Sequence, residues 1–191
     1  MTLDNTLAAA VARGTPTPTL YLDANVLLDI VRPQRKQESR LLLDECQQKS
    51  WVCSSSYFGL MEALDVEQES IWFRSEIRRG RDVDWLIRRR RDRKLTSQAR
   101  GRVQGAFYRQ FVADVQDAVR WHILDEESWE EAIWLAMETD ASAPDCIHLA
   151  TAKSAACDVL VTSDTQFQNA ATGEIETANP EQVLAWLREN T

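Results

Sequence analysis

Acidic residues stand where short apolar runs of the sequence end. Asp23 closes the run TLYLD, and Asp164 closes the run DVLVTSD. Asp145 lies at the start of a helical pattern that precedes the second run, and Glu62 lies inside another helical pattern. In an open α/β sheet, strand ends and the first turns of the helices share the rim at which ligands bind. The sequence therefore predicts that these side chains lie at one rim.

A divalent metal would explain several carboxylates at one rim. Each acid alone has a simpler interpretation, because aspartate favours helix starts and strand ends through turn hydrogen bonds. Together, unpaired carboxylates would repel one another and raise their pKa values unless a cation neutralised them. Oxygen ligands without nearby His or Cys favour Mg²⁺ or Mn²⁺ over zinc or copper. We predict a metal site formed by Asp23, Glu62, Asp145 and Asp164.

Strand and helix patterns alternate along the chain and would bring these acids together. The strand patterns are TLYLD, WVCSS, VRWHIL and DVLVTSD, and GEIET is a candidate edge strand. The helical patterns between and after them are ANVLLDIV closed by Pro33, QESRLLLDECQQK, SYFGLMEALDVEQ, DEESWEEAIWLAMET, SAPDCIHLATAKSAA and PEQVLAWLRE. Such alternation indicates parallel crossovers with helices on both faces of the sheet. The predicted fold is α/β, with three α/β/α layers and a central, mostly parallel sheet of four to five strands.

The length and composition fit one folded unit. The chain has 191 residues, 44% of them hydrophobic, which suits a single domain over residues 19–188. Residues 1–18 have no apolar periodicity and are predicted to be a flexible N-terminal arm. The sequence contains neither a membrane-length apolar run nor a basic secretory start, which favours a cytoplasmic protein. The cysteines have no metal-ligand spacing and are predicted to be small buried side chains.

The charge is unevenly distributed. The net charge is -8, yet residues 74–109 carry 13 Lys+Arg against 4 Asp+Glu, a net of +9, so the remaining residues sum to -17. Such asymmetry indicates that one surface meets a polyanion, although docking of the basic part onto the acidic part of the same chain is an alternative. Residues 66–116 are predicted to be an Arg-rich helical insertion.

The acidic motifs together resemble those of a known family. LDANVLLD around Asp23, the helical Glu62 after the second strand, PDCIHLATA around Asp145 and VTSD at Asp164 are similar, in order, to the four acidic motifs of PIN domains. The resemblance covers about residues 19–65 and 117–188. Within the family the chain is most similar to VapC-type toxins and related bacterial PIN endoribonucleases.

This resemblance implies a reaction, a cofactor and partners. The implied activity is Mg²⁺- or Mn²⁺-dependent hydrolysis of phosphodiester bonds in single-stranded RNA, with the four acids as catalytic and metal-binding residues. Asn25 and Thr162 occupy the small polar positions that orient the ligands through hydrogen bonds. A homodimer and a cognate antitoxin are the implied protein partners. Gln166 stands where some relatives have a further acid, which leaves the number of metal ions open.

The basic segment is longer than in a compact PIN domain, so RNA contacts cannot be transferred to it from the family. We predict that a helical arm contacts RNA phosphates, although a solvated helix or a helix docked onto acidic surfaces are alternatives. The candidate RNA-binding residues are Arg78, Arg79, Arg81, Arg88, Arg89, Arg90, Arg91, Arg93 and Lys94.

Other functions with acids at a sheet rim require residues that this chain lacks. A haloacid-dehalogenase phosphatase needs a second acid two residues after Asp23, where this chain has Asn25. A receiver domain needs a lysine after a late strand, where this chain has TSD. A stand-alone PIN nuclease of RNA processing and a non-cleaving PIN-fold nucleic-acid-binding module remain alternatives to a toxin. For His148, a polar contact or a core position is favoured over a general base, because the metal already lowers the pKa of water.

Overall fold

A parallel five-stranded sheet lies at the centre of the computed structural model, which describes residues 2–13, 17–32 and 37–190. Its strand order is β3-β2-β1-β4-β5, and all four neighbouring pairs are parallel. The strands are β1 (Thr19–Leu22), β2 (Val52–Ser56), β3 (Arg120–His122), β4 (Val159–Val161) and β5 (Glu176–Ala178). Pro33, which was predicted to close the first helical pattern, lies outside the described residues.

Helices precede and connect the strands. They are α1 (Leu3–Arg13), α2 (Ala24–Val31), α3 (Gln37–Gln48), α4 (Tyr57–Arg78), α5 (Val83–Arg89), α6 (Ser97–Val103), α7 (Arg109–Asp114), α8 (Glu126–Glu138), α9 (Ala143–Ser154), α10 (Thr165–Ala170) and α11 (Pro180–Glu189). A 3₁₀ turn (Arg90–Asp92) follows α5, and a π-helical turn (Gln104–Tyr108) joins α6 to α7.

The central strands alternate between two hydrophobic cores. Leu20 and Leu22 of β1 belong to one cluster, whereas Tyr21 between them belongs to the other. The first core is lined by residues of α2, α3, α4 and α11, and the second by residues of α8, α9 and α10. Because successive strand side chains point to opposite faces, this division places a helical layer on each side of the sheet. The predicted three-layer α/β/α fold with a parallel sheet is confirmed.

The N-terminal segment differs from its prediction as a flexible arm. Residues Leu3–Arg13 form helix α1, and its Leu7 and Ala10 are fully buried. Arg13 also forms an ion pair with Asp158, whose carboxylate accepts a hydrogen bond from the Thr19 backbone N–H. The apolar positions in LDNTLAAAVAR are mainly alanines, which are strong helix formers but give little periodic contrast. The structure thus has a packed helix over eleven residues for which the sequence shows no helical pattern.

The predicted insertion over residues 66–116 is helical in the structure, and it contributes to the main core. Ala99, Val103, Phe107 and Phe111 are buried in the first hydrophobic cluster. Helix α5 packs its buried Leu86 inward, and Trp85 stacks on Trp72 of α4 at 6.0 Å between ring centroids. Apolar contacts along residues 66–116 therefore hold this segment to the hydrophobic core on one face of the sheet.

The cysteines and the apolar character of the helices can also be compared with the sequence predictions. The cysteines are free, and Cys46, Cys53 and Cys146 are buried, as the sequence predicted, whereas Cys157 is only partly buried. Among the described residues, no helix combines the length and apolar character that crossing a bilayer requires.

Candidate metal centre at the end of strand β1

Asp23 directly follows β1, the central strand, and caps helix α2. Only 5% of its surface is exposed. Its Oδ1 accepts a 2.6 Å hydrogen bond from the Ala24 backbone N–H, and its Oδ2 accepts a 2.7 Å bond from the Thr162 hydroxyl. Asn25 Nδ2 also donates to Oδ2, and Asn25 Oδ1 accepts from the Ser163 backbone N–H. The two residues expected to orient the ligands therefore both contact the Asp23 carboxylate.

Glu62 approaches Asp23 from helix α4, which begins where β2 ends. Ser56 caps this helix by accepting a 3.0 Å hydrogen bond from the Gly59 backbone N–H. The Glu62 side chain remains 34% exposed, and its Oε2 lies 2.8 Å from His148 Nε2. The same ring nitrogen lies 3.4 Å from Asp23 Oδ1. One ligand atom from each of Asp23, Glu62 and His148 can be chosen such that all lie within 4.8 Å of one another.

Burial and charge shift the pKa values of this cluster. Burial raises the pKa of Asp23 above its ordinary value, and the neighbouring Glu62 charge raises it further, although His148 and hydrogen bonds from Thr162 and Ala24 oppose the shift. Burial disfavours the charged form of His148, but the Glu62 hydrogen bond and the nearby carboxylates outweigh burial and raise the pKa of His148. The site is therefore a place where negative charge concentrates and is incompletely neutralised.

The other two predicted acids lie nearby but make local contacts. Asp145 is the third residue of α9, and its Oδ2 accepts from the Ser142 hydroxyl at 2.6 Å in a capping box. Asp164 is exposed and caps α10 by accepting from the backbone N–H groups of Gln166 and Phe167. Among the described residues, neither aspartate joins the group of Asp23, Glu62 and His148 that could hold a metal ion. The role of Asp145 and Asp164 as metal ligands stays a prediction.

A groove of about 480 Å³ adjoins the cluster. It is lined by Asn25, Ser163, Asp164, Thr165 and Gln166. Asn25 lies between this groove and the Asp23 carboxylate to which it donates. Asp164 therefore lines open space beside Asn25, the residue that donates to the Asp23 carboxylate.

The donor atoms at this site fit a hard divalent cation. Asp23 and Glu62 supply carboxylate oxygens, and Glu62 Oε1 has no hydrogen-bond partner among the described residues. Both nitrogens of His148 are already engaged, since Nδ1 lies 2.9 Å from the Tyr21 hydroxyl and Nε2 contacts Glu62. The free donors are thus oxygens, which suits Mg²⁺ or Mn²⁺ better than a softer metal.

A pair of variants can separate capping by Asp145 from metal binding. We expect Asp145→Ala and Ser142→Ala each to lower the free energy of unfolding in EDTA by about 1 kcal/mol, because each removes the capping box of α9. If Asp145 also binds metal, only Asp145→Ala will reduce the rise in melting temperature that Mn²⁺ produces. Chemical and thermal denaturation measure both effects. Identical Mn²⁺ responses in the two variants would make Asp145 a cap alone.

His148 is a component of the site that the sequence did not assign to it. The sequence favoured a polar contact or a core position for this residue, and the structure shows both, since the side chain is 1% exposed. Its spacing from Asp145 was an available signal, because residues three apart on a helix are neighbours on its surface. The contact with Glu62 spans 86 residues of sequence, however, and no local pattern predicts it.

Five of the nine candidate RNA-binding residues have partners of their own within the segment or on α4. These pairs are Arg79 with Glu76, Arg89 with Asp92, Arg90 with Glu69, Arg93 with Asp65, and Arg81 over the ring of Trp85. The other four are exposed and form no ion pair with a described residue: Arg78, Arg88, Arg91 and Lys94. Docking onto acids of the same chain therefore explains the positions of only some of these basic side chains.

Comparisons with known proteins agree with this architecture. The structure is similar to a toxin-antitoxin complex from Klebsiella pneumoniae, with 15% identity, coverage of 84% of this chain and 97% of that chain, and a TM-score of 0.50. It is also similar to VapBC2 from Rickettsia felis bound to a promoter DNA fragment, with 12% identity, coverage of 84% and 98%, and a TM-score of 0.51. At these identities the likeness shows the fold alone, and no curated protein matches the sequence. The family described as PIN domain matches residues 20–173, and this chain therefore belongs to the PIN domain family.

Proposed function

We propose that this chain is a metal-dependent endoribonuclease that hydrolyses phosphodiester bonds of single-stranded RNA. The observation that supports this most strongly is that Asp23 and Glu62 lie close together beside an open groove. Asp23 caps α2, and Glu62 comes from the N-terminal part of α4. PIN membership is consistent with this assignment. A buried acid such as Asp23, whose pKa is raised by burial and by a neighbouring carboxylate, is typical of functional sites.

The residues of the chain have distinct parts in the proposed reaction. Mg²⁺ or Mn²⁺ at this site would activate water and neutralise charge on the phosphate as the bond breaks. Asp23 and Glu62 would bind the cation, while Asn25 and Thr162 keep the Asp23 carboxylate in one orientation through their hydrogen bonds. Asp145 and Asp164 are proposed to complete the ligand set from the same rim. No group of the protein needs to form a covalent bond to RNA.

The path of the basic segment supports a polyanionic substrate. Arg90 pairs with Glu69 and Arg93 pairs with Asp65, so the segment runs back along α4 toward the first turns of that helix. Asp65 lies three residues after Glu62, which is about 4.5 Å along the helix axis. The stretch that also contains Arg88, Arg91 and Lys94, which form no ion pair with a described residue, is therefore held against the part of α4 that leads to Glu62. A strand of RNA held there would have its phosphates directed to the site.

This proposal predicts a specific salt dependence of RNA binding. Replacing Arg88, Arg91 and Lys94 together by glutamine should reduce the slope of log K against log salt by about 2, since each lost phosphate contact on a single strand contributes about 0.7. The matched control replaces Arg79, Arg90 and Arg93, which removes the same formal charge from residues paired with acids. Fluorescence anisotropy with a short single-stranded RNA at several salt concentrations measures the slope. Equal effects of both triple variants would contradict a specific role for the unpaired set.

Cleavage itself is tested by incubating the purified chain with single-stranded RNA and Mn²⁺ or Mg²⁺, with and without EDTA. Metal-dependent internal cuts that EDTA abolishes are expected. RNA binding without any cutting would support the alternative of a non-cleaving PIN-fold binding module. Cutting of single-stranded DNA alone would contradict the assignment of RNA as substrate.

A cytoplasmic toxin of a toxin-antitoxin pair is the proposed biological role, and a stand-alone nuclease of RNA processing is the alternative. The support is the description of one structural relative as a toxin-antitoxin complex. The proposed protein partners are an antitoxin and a second copy of the chain. Expression of the chain alone should arrest growth, and co-expression with the product of a neighbouring reading frame should relieve the arrest. Normal growth with an RNA-cleaving protein would favour the processing role.

A further inference from the structure

Tyr21 carries a hydroxyl into the interior of the protein, next to the candidate metal centre. It lies in β1, and its side chain is fully buried. A buried hydroxyl requires hydrogen-bond partners, and this one has two. Its Oη lies 3.0 Å from Ser56 Oγ and 2.9 Å from His148 Nδ1. The other ring nitrogen of His148 lies 2.8 Å from Glu62 Oε2. A continuous series of hydrogen bonds therefore joins the central sheet to the Glu62 carboxylate.

The imidazole in this series is held by packing as well as by hydrogen bonds. A Cβ atom built on Gly59 would lie 2.9 Å from His148 Cε1, so the backbone of α4 approaches the ring as closely as only glycine allows. The rings of Phe58 and Tyr21 contact His148 edge-on, with centroids 5.5 and 5.8 Å away. His148 thus has little freedom to move when Glu62 changes its conformation.

Glu62 is the ligand that most needs such support. Asp23 is buried and receives hydrogen bonds from three neighbouring groups, whereas Glu62 has a longer side chain and is partly exposed. An unsupported glutamate would lose rotamer freedom on binding a cation, which lowers affinity. Hydrogen bonds from residues behind a metal ligand commonly remove this loss, and their deletion reduces metal affinity by about 10- to 100-fold.

We propose that Tyr21 and His148 form a buried relay that positions the Glu62 carboxylate for metal binding, with His148 acting as a positioning residue and not as a metal ligand. The relay leaves Glu62 Oε1 for the cation while Nε2 of His148 holds Oε2. Tyr21 fixes the ring from behind, because its hydroxyl can both donate and accept and so matches Nδ1. This inference rests on the metal site of the proposed function.

The first test compares Mn²⁺ affinity in variants that do not alter any ligand. By calorimetry on the full chain, Tyr21→Phe should bind Mn²⁺ about 10-fold more weakly than wild type. Tyr57→Phe is the matched control, since it removes the hydroxyl of an exposed tyrosine at the start of α4 and should leave affinity unchanged. Gly59→Ala should also weaken binding, because it displaces His148 without removing a polar group. Unchanged affinity in Tyr21→Phe would overturn the relay.

A double-mutant cycle separates positioning from a general structural effect. In a Glu62→Gln background, Tyr21→Phe should lose its effect on Mn²⁺ affinity, because the carboxylate that the relay holds is gone. A merely structural role of the Tyr21 hydroxyl would lower the melting temperature by the same amount in both backgrounds and leave affinity untouched. In metal-free protein, ¹⁵N chemical shifts of the His148 ring should respond to both Tyr21→Phe and Glu62→Gln. If the ¹⁵N shifts of the His148 ring are unchanged by either substitution, the continuous series of hydrogen bonds is contradicted.

Pulsed EPR of the Mn²⁺-loaded protein distinguishes a positioning residue from a ligand. The relay predicts no directly bonded histidine nitrogen, and detection of one would overturn it and make His148 a ligand. These readouts are independent of RNA cleavage. A wild type that cleaves RNA while Tyr21→Phe binds Mn²⁺ normally refutes the relay alone. If Tyr21→Phe weakens Mn²⁺ binding as predicted but the wild type has no nuclease activity, the proposed function alone is refuted. A wild type that binds no Mn²⁺ refutes both.

Discussion

Asp23→Asn is expected to lower the rate of metal-dependent RNA cleavage by on the order of 10²- to 10³-fold, the loss typical when one group that stabilises transition-state charge is removed. Asp23 is the most enclosed acid of the candidate centre, and Ala24, Asn25 and Thr162 all fix its carboxylate. The same substitution should abolish most of the rise in melting temperature that Mn²⁺ produces in the wild type. Cleavage assays and thermal melts with EDTA or Mn²⁺ measure the two effects.

In EDTA at neutral pH, Asp23→Asn should be as stable as the wild type or more stable. Burial raises the pKa of Asp23, so the folded state binds this proton more tightly than the unfolded state does. The resulting stabilisation is present in acid and is lost as pH rises above about 4, the ordinary pKa of aspartate. A neutral amide avoids that loss, and its oxygen can still accept from Ala24 N–H, although its NH₂ at the Oδ2 position would face the donating Nδ2 of Asn25 and give up that one hydrogen bond. A variant that melts well below wild type in EDTA yet keeps the full Mn²⁺ shift would show that Asp23 is structural.

The strands and most of the helices were predictable because their signals are local. TLYLD, WVCSS and DVLVTSD are short apolar runs, and they overlap β1, β2 and β4, of which β2 extends one residue further, to Ser56. Pro180 opens α11 and Pro144 lies in the first turn of α9, both positions at which a missing N–H costs nothing. The candidate edge strand GEIET overlaps β5, which lies at one edge of the sheet.

Elements without strong periodicity were not predictable in the same way. Helix α10 has six residues and was not predicted, since a single buried residue, Phe167, anchors it. Helix α1 was not predicted because its alanines blur the distinction between its buried and exposed faces. Both depend on tertiary contacts that no short window of sequence contains.

Within the site, the sequence predicted the residue types better than it predicted their contacts. The rim location of Asp23 could be predicted because this residue directly follows an apolar strand pattern, and β1 does end at Leu22. The meeting of Glu62 with His148, by contrast, depends on how α4 and α9 pack around the end of the sheet. Helix capping is the simpler interpretation of Asp145 and Asp164 from the sequence, and both aspartates make such contacts in the structure.

Glu67→Gln is expected to lower the free energy of unfolding by about 3 kcal/mol, the cost typical of removing one partner of a buried ion pair. Glu67 of α4 is 5% exposed and forms an ion pair with Arg32 at the C-terminal end of α2. This contact ties the helix that follows Asp23 to the helix that carries Glu62. The matched control is Glu69→Gln, two residues later on α4, whose partner Arg90 is 61% exposed. Glu69 is only 12% exposed, but solvent screens the Arg90 guanidinium of this pair, so the control should cost less, about 1 kcal/mol. Urea denaturation of both variants in EDTA measures the difference, and equal costs would show that the buried pair contributes no more than a surface one.

Neither substitution touches the candidate metal centre, so Mn²⁺ should still raise the melting temperature of both variants. Such a rise would show that α2 and α4 keep their arrangement at the rim even when the ion pair between them is lost.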